Sequence, residues 1–218
     1  MIEIIPAILV KTEAEFHEQI ARLEPFVSLV QLDVVDGEFA PNVTWGEPRI
    51  VRSIQSGVRF EIDLMVNNPA IVVGDWALSA TPISRIFFHQ EVAQGDEHNI
   101  IHRVRDAGIE VGMSLVPETS LDNLYPFLPD IDAVLLLGVS PGFQGQEFQT
   151  SVLDSVRAIR ASRPGMPIEV DGGVNPDNIR DLVDAGVTRV AVGSYIANHP
   201  DGPGVAMQHL RTRAESIT

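Results

Sequence analysis

The run 29–46, LVQLDVVDGEFAPNVTWG, sets two aspartates, Asp33 and Asp36, at the end of an apolar stretch, with Gln31 two residues before the first. On a strand, residues two apart face the same way, so Gln31 and Asp33 point together near the strand's far end. A carboxyl placed there suits proton transfer beside a carbonyl, which needs an acid/base group and something to meet the charge developing on oxygen. Farther along, Asp171-Gly172-Gly173-Val174 and Val192-Gly193-Ser194-Tyr195 close two more apolar runs. Glycines let a phosphate approach backbone N–H groups, and a short helix beginning near Ser194 would add its positive end. The plain alternative is that these glycines are only turns.

The elements that must position these residues alternate along the whole chain. Apolar, β-branched runs at 3–8, 29–34, 59–66, 85–89, 110–116, 133–138, 168–171 and 189–193 predict eight strands. Segments at 12–25, 48–55, 69–79, 97–107, 120–127, 150–162, 176–185 and 202–216 have the spacing of helices packed on a sheet. Three strand entries repeat a small residue, glycine and a β-branched residue: Ser56-Gly57-Val58, Ala107-Gly108-Ile109 and Ala185-Gly186-Val187. Glycine there suits the left-handed position just past a helix end. Eight βα units predict an α/β fold, a single (β/α)₈ TIM barrel over 1–218, with no linker that would divide it. Its interior layers are expected at Ile4, Leu32, Ile62, Val111, Leu135, Ile168 and Val190 or their immediate neighbours. In such a barrel the site lies at the C-terminal strand ends, and the loops after strands 7 and 8 bind phosphate, which brings Asp33, Asp171 and both glycine pairs to one face.

Composition narrows the partners. A formal charge of -15 over 218 residues leaves no basic surface to neutralise nucleic acid or anionic membranes. Hydrophobic residues make up 44% of the chain, enough for one large core, yet no apolar run is long enough to span a bilayer. The first residues read as a strand rather than a secretory leader, and the expected location is the cytoplasm. Absence of cysteine removes thiolate nucleophiles, disulfides and cysteine zinc sites. Lys11, the only lysine, lies in the loop after strand 1 rather than inside the barrel, which argues against Schiff-base chemistry. His98 and His102 are four apart on an outer helix with no third ligand, a solvated face. His89 ends strand 4, where it either reaches the site or packs. Phe39, Pro41 and Trp45, on the loop after strand 2, either cover a ligand or join subunits, or else simply pack on the helix expected at 48–55.

Four ordered motifs carry a resemblance to the ribulose-phosphate 3-epimerases: Asp33 through Asn42, Leu64-Met65-Val66, Val139 through Gln146, and Glu169 through Gly173. The resemblance implies a TIM barrel of the ribulose-phosphate-binding type that moves the C3 proton of a ketose phosphate through an enediolate. Its two proton-transfer aspartates match Asp33 and Asp171, and the ligand is implied to be a sugar phosphate. The phosphate end is expected at Gly172, Gly173, Gly193 and Ser194, with Gly142, Phe143, Gln144 and Gly145 closing over it. A homo-oligomer is expected.

This chain departs from the family where the family binds a divalent metal with two histidines, for Gln31 and Asp63 occupy those places. Ala7 replaces a serine, Val35 and Leu137 replace two methionines, and Gln144 stands for a glycine. Asp33, Asp63 and Asp171 therefore converge as three carboxylates. Each pair about 5 Å apart, at an effective dielectric of about 20, repels by roughly 3 kcal/mol, so the cluster needs a shared cation or a shared proton. The all-oxygen set of Asp33, Asp63, Asp171 and the Gln31 amide suits Mg²⁺, Mn²⁺ or another hard cation better than zinc. Two functions stay open: an epimerase-like isomerase, or an altered homologue that binds a phosphorylated ligand without turning it over.

Overall fold

Eight parallel strands close on themselves in the computed structural model, which describes residues 2–78 and 80–215. The strands are β1 (Glu3–Ile8), β2 (Leu29–Val35), β3 (Arg59–Met65), β4 (Ile83–His89), β5 (Glu110–Leu115), β6 (Ala133–Leu137), β7 (Ile168–Asp171) and β8 (Arg189–Val192). Helices α1 (Glu13–Leu23), α2 (Pro48–Ser53), α3 (Pro69–Trp76), α4 (Glu97–Asp106), α5 (Val152–Ser162), α6 (Ile179–Ala185), α7 (Ser194–Ala197) and α8 (Pro203–Glu215) complete the order. Each strand pairs with the next, and β8 returns to β1 from Glu3↔Arg189 to Pro6↔Val192. Ser79 and Ser216, the last residues of two expected helices, lie outside the described residues. Among the described residues no helix is long and apolar enough to cross a membrane.

Local sequence accounts for these elements. In α1, Thr12 caps the start by accepting from the Glu15 N–H at 3.2 Å, Glu13 and Glu15 sit in the first turn and Arg22 in the last. Phe16, Ile20 and Leu23, at helical spacing, are the face it buries against the barrel. The expected helix at 120–127 is instead two 3-10 turns, Leu121–Asn123 and Tyr125–Phe127. Pro126 has no N–H to continue a helical ladder, and Ser120 caps the first turn by accepting from Asp122. Of the three repeated glycines, Gly108 and Gly186 take the left-handed conformation at φ of 73° and 108°. Gly57 does not, because α2 has already ended at Ser53; its N–H donates to Glu24 Oε1 at 2.8 Å.

The lumen is more polar than the apolar runs suggest. Of the expected interior positions only Leu135 itself faces inward, clustered with Phe87, Ala133 and Leu137. Ile4, Leu32, Ile62, Val111, Ile168 and Val190 pack outward in the core shared with the helices, and their neighbours take the inside. That one-residue shift, within the expectation, follows from alternation: Gln31, Asp33, Glu61, Asp63, Arg85, Glu169 and Asp171 claim the inner face, so the adjacent apolar residues must turn out. Gly112 leaves the space that the Phe87 ring fills, since a Cβ there would lie 2.2 Å from it.

At the N-terminal end of the strands the lumen is closed by a charged floor. Arg85 bonds Glu61, reaches Glu110 at 2.7 Å and lies 3.7 Å from Glu169. Arg189 pairs with Glu3 at 3.2 Å. Glu61 and Glu169 are fully buried, and burial raises both carboxyls, Glu169 well above its usual range.

Candidate active site

The opposite end of the lumen gathers side chains from five strands. Gln31 and Asp33 come from β2, Asp63 from β3, His89 from β4, Ser114 from β5 and Asp171 from β7. Asp33 and Asp63 are register partners on neighbouring strands, which forces their carboxyls together. One carboxylate oxygen from each of Asp33, Asp63 and Asp171 lies within 4.8 Å of the others.

Gln31 ties two of these groups. Its Nε2 donates to Asp33 Oδ1 at 2.8 Å and to Asp171 Oδ2 at 2.7 Å, spending one N–H on each. The amide thus presents nitrogen, where oxygen ligation of a cation was expected, and its Oε1 is buried without a partner. Turning the amide over would set that oxygen against two carboxylates, an arrangement only an intervening cation would favour.

Asp63 is held by different donors. His89 Nε2 stands 3.4 Å and 3.5 Å from its two oxygens, and Ser114 Oγ donates to Oδ1 at 3.1 Å. Nδ1 of the same imidazole faces Glu91 Oε2 at 3.4 Å. Burial works against charge on His89, but Asp63 and Glu91 outweigh it and raise its pKa to about 9. His89 therefore joins the site rather than merely packing. The Phe39 ring covers it at 4.5 Å between centroids. Trp45 instead packs on Phe16 of α1 at 4.9 Å, a different helix from the following one expected for that loop.

Asp36, the second aspartate of the opening run, has no part in the chemistry. Its oxygens accept from the N–H groups of Glu38, Phe39 and Asn67 at 2.7 to 2.9 Å, which orders the loop that carries Phe39. Those bonds outweigh burial and hold its carboxyl below the usual range. Asp33 and Asp171 behave oppositely. Burial first, then the charges of Asp171 and Asp63, push Asp33 well above its ordinary value. Burial and Asp63 raise Asp171 to about 7, with Gln31 opposing.

A cavity opens directly above this pair. Asp33, Asp171, Gly172, Gly173, Gly193 and Ser194 line it, together with the loop 140–145 that includes Gly142, Phe143, Gln144 and Gly145. Gln31 and Asp63 lie beneath, fully buried. The N–H groups of Gly173 and Ser194 carry no hydrogen bond among the described residues. No lysine or arginine lines the cavity. The roof is strapped down: Lys11 Nζ donates to Asn42 Oδ1 and Val43 O, and Asn42 Nδ2 donates to Gly142 O at 2.5 Å. Gln146 Nε2 holds Ser140 O at 2.6 Å and Phe143 O at 2.9 Å.

Sequence reasoning missed Ser114 and the floor residues Glu61, Arg85 and Glu169. The signal was spacing: Glu61 and Glu169 stand two residues before Asp63 and Asp171 on the same inner faces.

Comparison with known proteins identifies the family. The family model described as "Ribulose-phosphate 3 epimerase family" matches residues 3–197. A protein of Mycobacterium leprae named ribulose-phosphate 3-epimerase is 33% identical, aligned over 99% of this chain and 96% of its own. Ribulose-phosphate 3-epimerase 1 of Cupriavidus necator is 36% identical over 100% of this chain and 93% of its own. Among solved structures, KGPDC from Streptococcus mutans superposes with a TM-score of 0.75 at 12% identity over 98% of this chain and 97% of that one, a likeness of fold alone.

Proposed function

The chain belongs to the ribulose-phosphate 3-epimerase family, and from that premise we propose that it moves a proton at C3 of a ketose phosphate such as ribulose 5-phosphate. One observation carries the reading: two buried carboxyls, both raised above their ordinary range, line one cavity with a glycine cradle. Epimerisation needs a carboxylate to remove the C3 proton on one face and a carboxylic acid to return one on the other. Burial and like-charge repulsion raise both Asp33 and Asp171, which favours a pair that shares one proton, one member serving as acid and the other as base. Gln31 orients both by donating to each. The phosphate rests on the free N–H groups at Gly173 and Ser194, under the loop 140–145.

The donor chemistry at the base of the site fits a hard cation. Asp33, Asp63 and Asp171 would hold it by carboxylate oxygens, and such an ion supplies positive charge for the oxygens of the enediolate. A second reading, a homologue that binds the phosphorylated ligand without turnover, is favoured by the Gln31 amide presenting hydrogens instead of a ligand atom.

Washout of deuterium from C3 of ribulose 5-phosphate, followed by NMR with and without Mg²⁺ or Mn²⁺, separates the two. Washout supports the epimerase; its absence at every metal concentration, with binding intact, leaves the binder. Gly173→Asp checks the cradle in both cases. Its side chain would meet Phe148, whose Cα lies 2.8 Å from a Cβ at that place, and would set a carboxylate against the phosphate, so binding should be abolished.

A further inference from the structure

We propose that Gln144 is a specificity-determining residue, a side-chain donor that selects the phosphorylated form of the ligand. The inference rests on the phosphate reading given above and names a residue that reading does not require. It starts from the position of the Gln144 carboxamide. A Cβ built on Gly193 would lie 2.3 Å from Gln144 Nε2, 2.7 Å from Cδ and 3.2 Å from Oε1. The amide therefore abuts Gly193 by its nitrogen end, and Gln144 and Gly193 both line the cavity. Only the missing side chain of Gly193 makes that seat available.

The amide is placed there by its neighbours rather than by strong bonds of its own. The loop that carries Gln144 is tied on one side by Asn42 at Gly142 O and on the other by Gln146 at Ser140 O and Phe143 O. Gln144 Nε2 itself makes one long bond, 3.3 Å to Ala7 O. A carboxamide nitrogen has two hydrogens, and the second is free for a ligand.

Electrostatics makes that hydrogen matter. Asp33 and Asp171 line the same cavity and no cationic side chain does. Lys11, the only lysine, is spent on Asn42 and Val43. A phosphate dianion entering here meets neutral donors alone, so each one lost is felt. A charge-assisted bond from Gln144 adds to the main-chain N–H groups and gives nothing to an unphosphorylated sugar.

Calorimetry with ribulose 5-phosphate and with ribulose, on wild type and on Gln144→Gly, Gln144→Ala and Gln144→Glu, tests this. Loss of one donor to a charged acceptor should weaken ribulose 5-phosphate about tenfold in the glycine and alanine variants and leave ribulose unchanged. Gln144→Glu should weaken it further, because a carboxylate then faces the phosphate. Gly193→Ala, which evicts the amide, should cost more in wild type than in the Gln144→Gly background. Unchanged or tighter binding in Gln144→Gly would overturn the proposal and make the side chain a plug. Equal wild-type affinity for ribulose and ribulose 5-phosphate would overturn the phosphate reading itself, and this inference with it.

Discussion

The two ends of the barrel lumen both bury carboxylates, and they neutralise them differently. On the floor, Glu61, Glu169 and Glu110 surround Arg85, whose guanidinium is permanently charged. At the mouth, Asp33, Asp63 and Asp171 face an amide, a hydroxyl and one imidazole. The floor is a fixed ionic bond across strands, while the mouth can exchange a proton or a cation with its surroundings. Two buried acids on the floor, with the exposed Glu110 beside them, and three at the mouth therefore do different work, and the partner decides which. Burying charge without a fixed counterion is costly, and a site that must change protonation state has to bear that cost.

The sharpest way to break this contrast is to remove one carboxyl from each end. Asp171→Asn and Asp33→Asn should each lower C3 deuterium washout about a thousandfold, within the range for losing a general acid or base. Both variants should be as stable as wild type or more so, because each relieves like-charge repulsion. A variant retaining near-normal washout would remove that aspartate from the chemistry.

Arg85→Met should do the reverse. It strands Glu61 and Glu169 without a counterion and should cost about 3 kcal/mol or more of unfolding free energy by urea titration. Turnover per folded molecule should stay close to wild type. If it falls as far as in Asp171→Asn, the floor and mouth are not separable.

Titration sharpens the comparison next, with EDTA present so that only protons are exchanged. Asp171 rises from 3.8 to about 7 and His89 from 6.5 to about 9 in the folded chain. A folded state that holds protons more tightly is most stable below the unfolded pKa and loses that stability as pH rises through the folded one. Stability should therefore fall from pH 3.8 to about 7 on account of Asp171, and from 6.5 to about 9 on account of His89. Asp171→Asn should make the lower limb shallower, with Asp33, Glu61 and Glu169 still contributing to it, and leave most of the upper limb in place. Added Mg²⁺ that left the lower limb unchanged would count against a cation on the three aspartates.

The smallest expected effect is Ser114→Ala, which takes one neutral donor from Asp63 at 3.1 Å. Stability should drop by about 1 kcal/mol, with washout slowed only slightly. A loss as large as that of Arg85→Met would mean that the mouth is as rigidly built as the floor.

Much of this was legible from residue spacing, and the failures share a cause. Strand and helix periods marked eight repeats, and the two-residue spacing of Gln31 and Asp33 put both inside. The expectation allowed each inner layer a shift of one residue and all but Leu135 take it, because the inner face was assumed apolar, whereas in β3 and β7 it is Glu61, Asp63, Glu169 and Asp171 that line it. The same assumption hid the floor, since Arg85 is 25 residues from Glu110 and 24 from Glu61 and no local pattern joins them. His89 was undecided in sequence because its partner Asp63 lies 26 residues away on a neighbouring strand. Pro126 was visible as a helix breaker, yet the run around it kept enough apolar spacing to read as a helix. The seat of Gln144 on Gly193 depends on two loops meeting in space, which no one-dimensional pattern encodes.

Lys11 gives the strapped roof an unusual chemistry. Its ammonium holds the Asn42 side chain, and that side chain holds Gly142, so three loops are tied in series through the Asn42 amide. Because the chain has no other lysine, an acylating reagent meets a single side-chain amine in the whole molecule. Acylation removes its charge and two of its hydrogens. Acylation located at Lys11 by peptide mapping would therefore slacken the cover of the cavity without touching any residue that faces the ligand, and a reporter dye attached there would sit beside the roof it reports on.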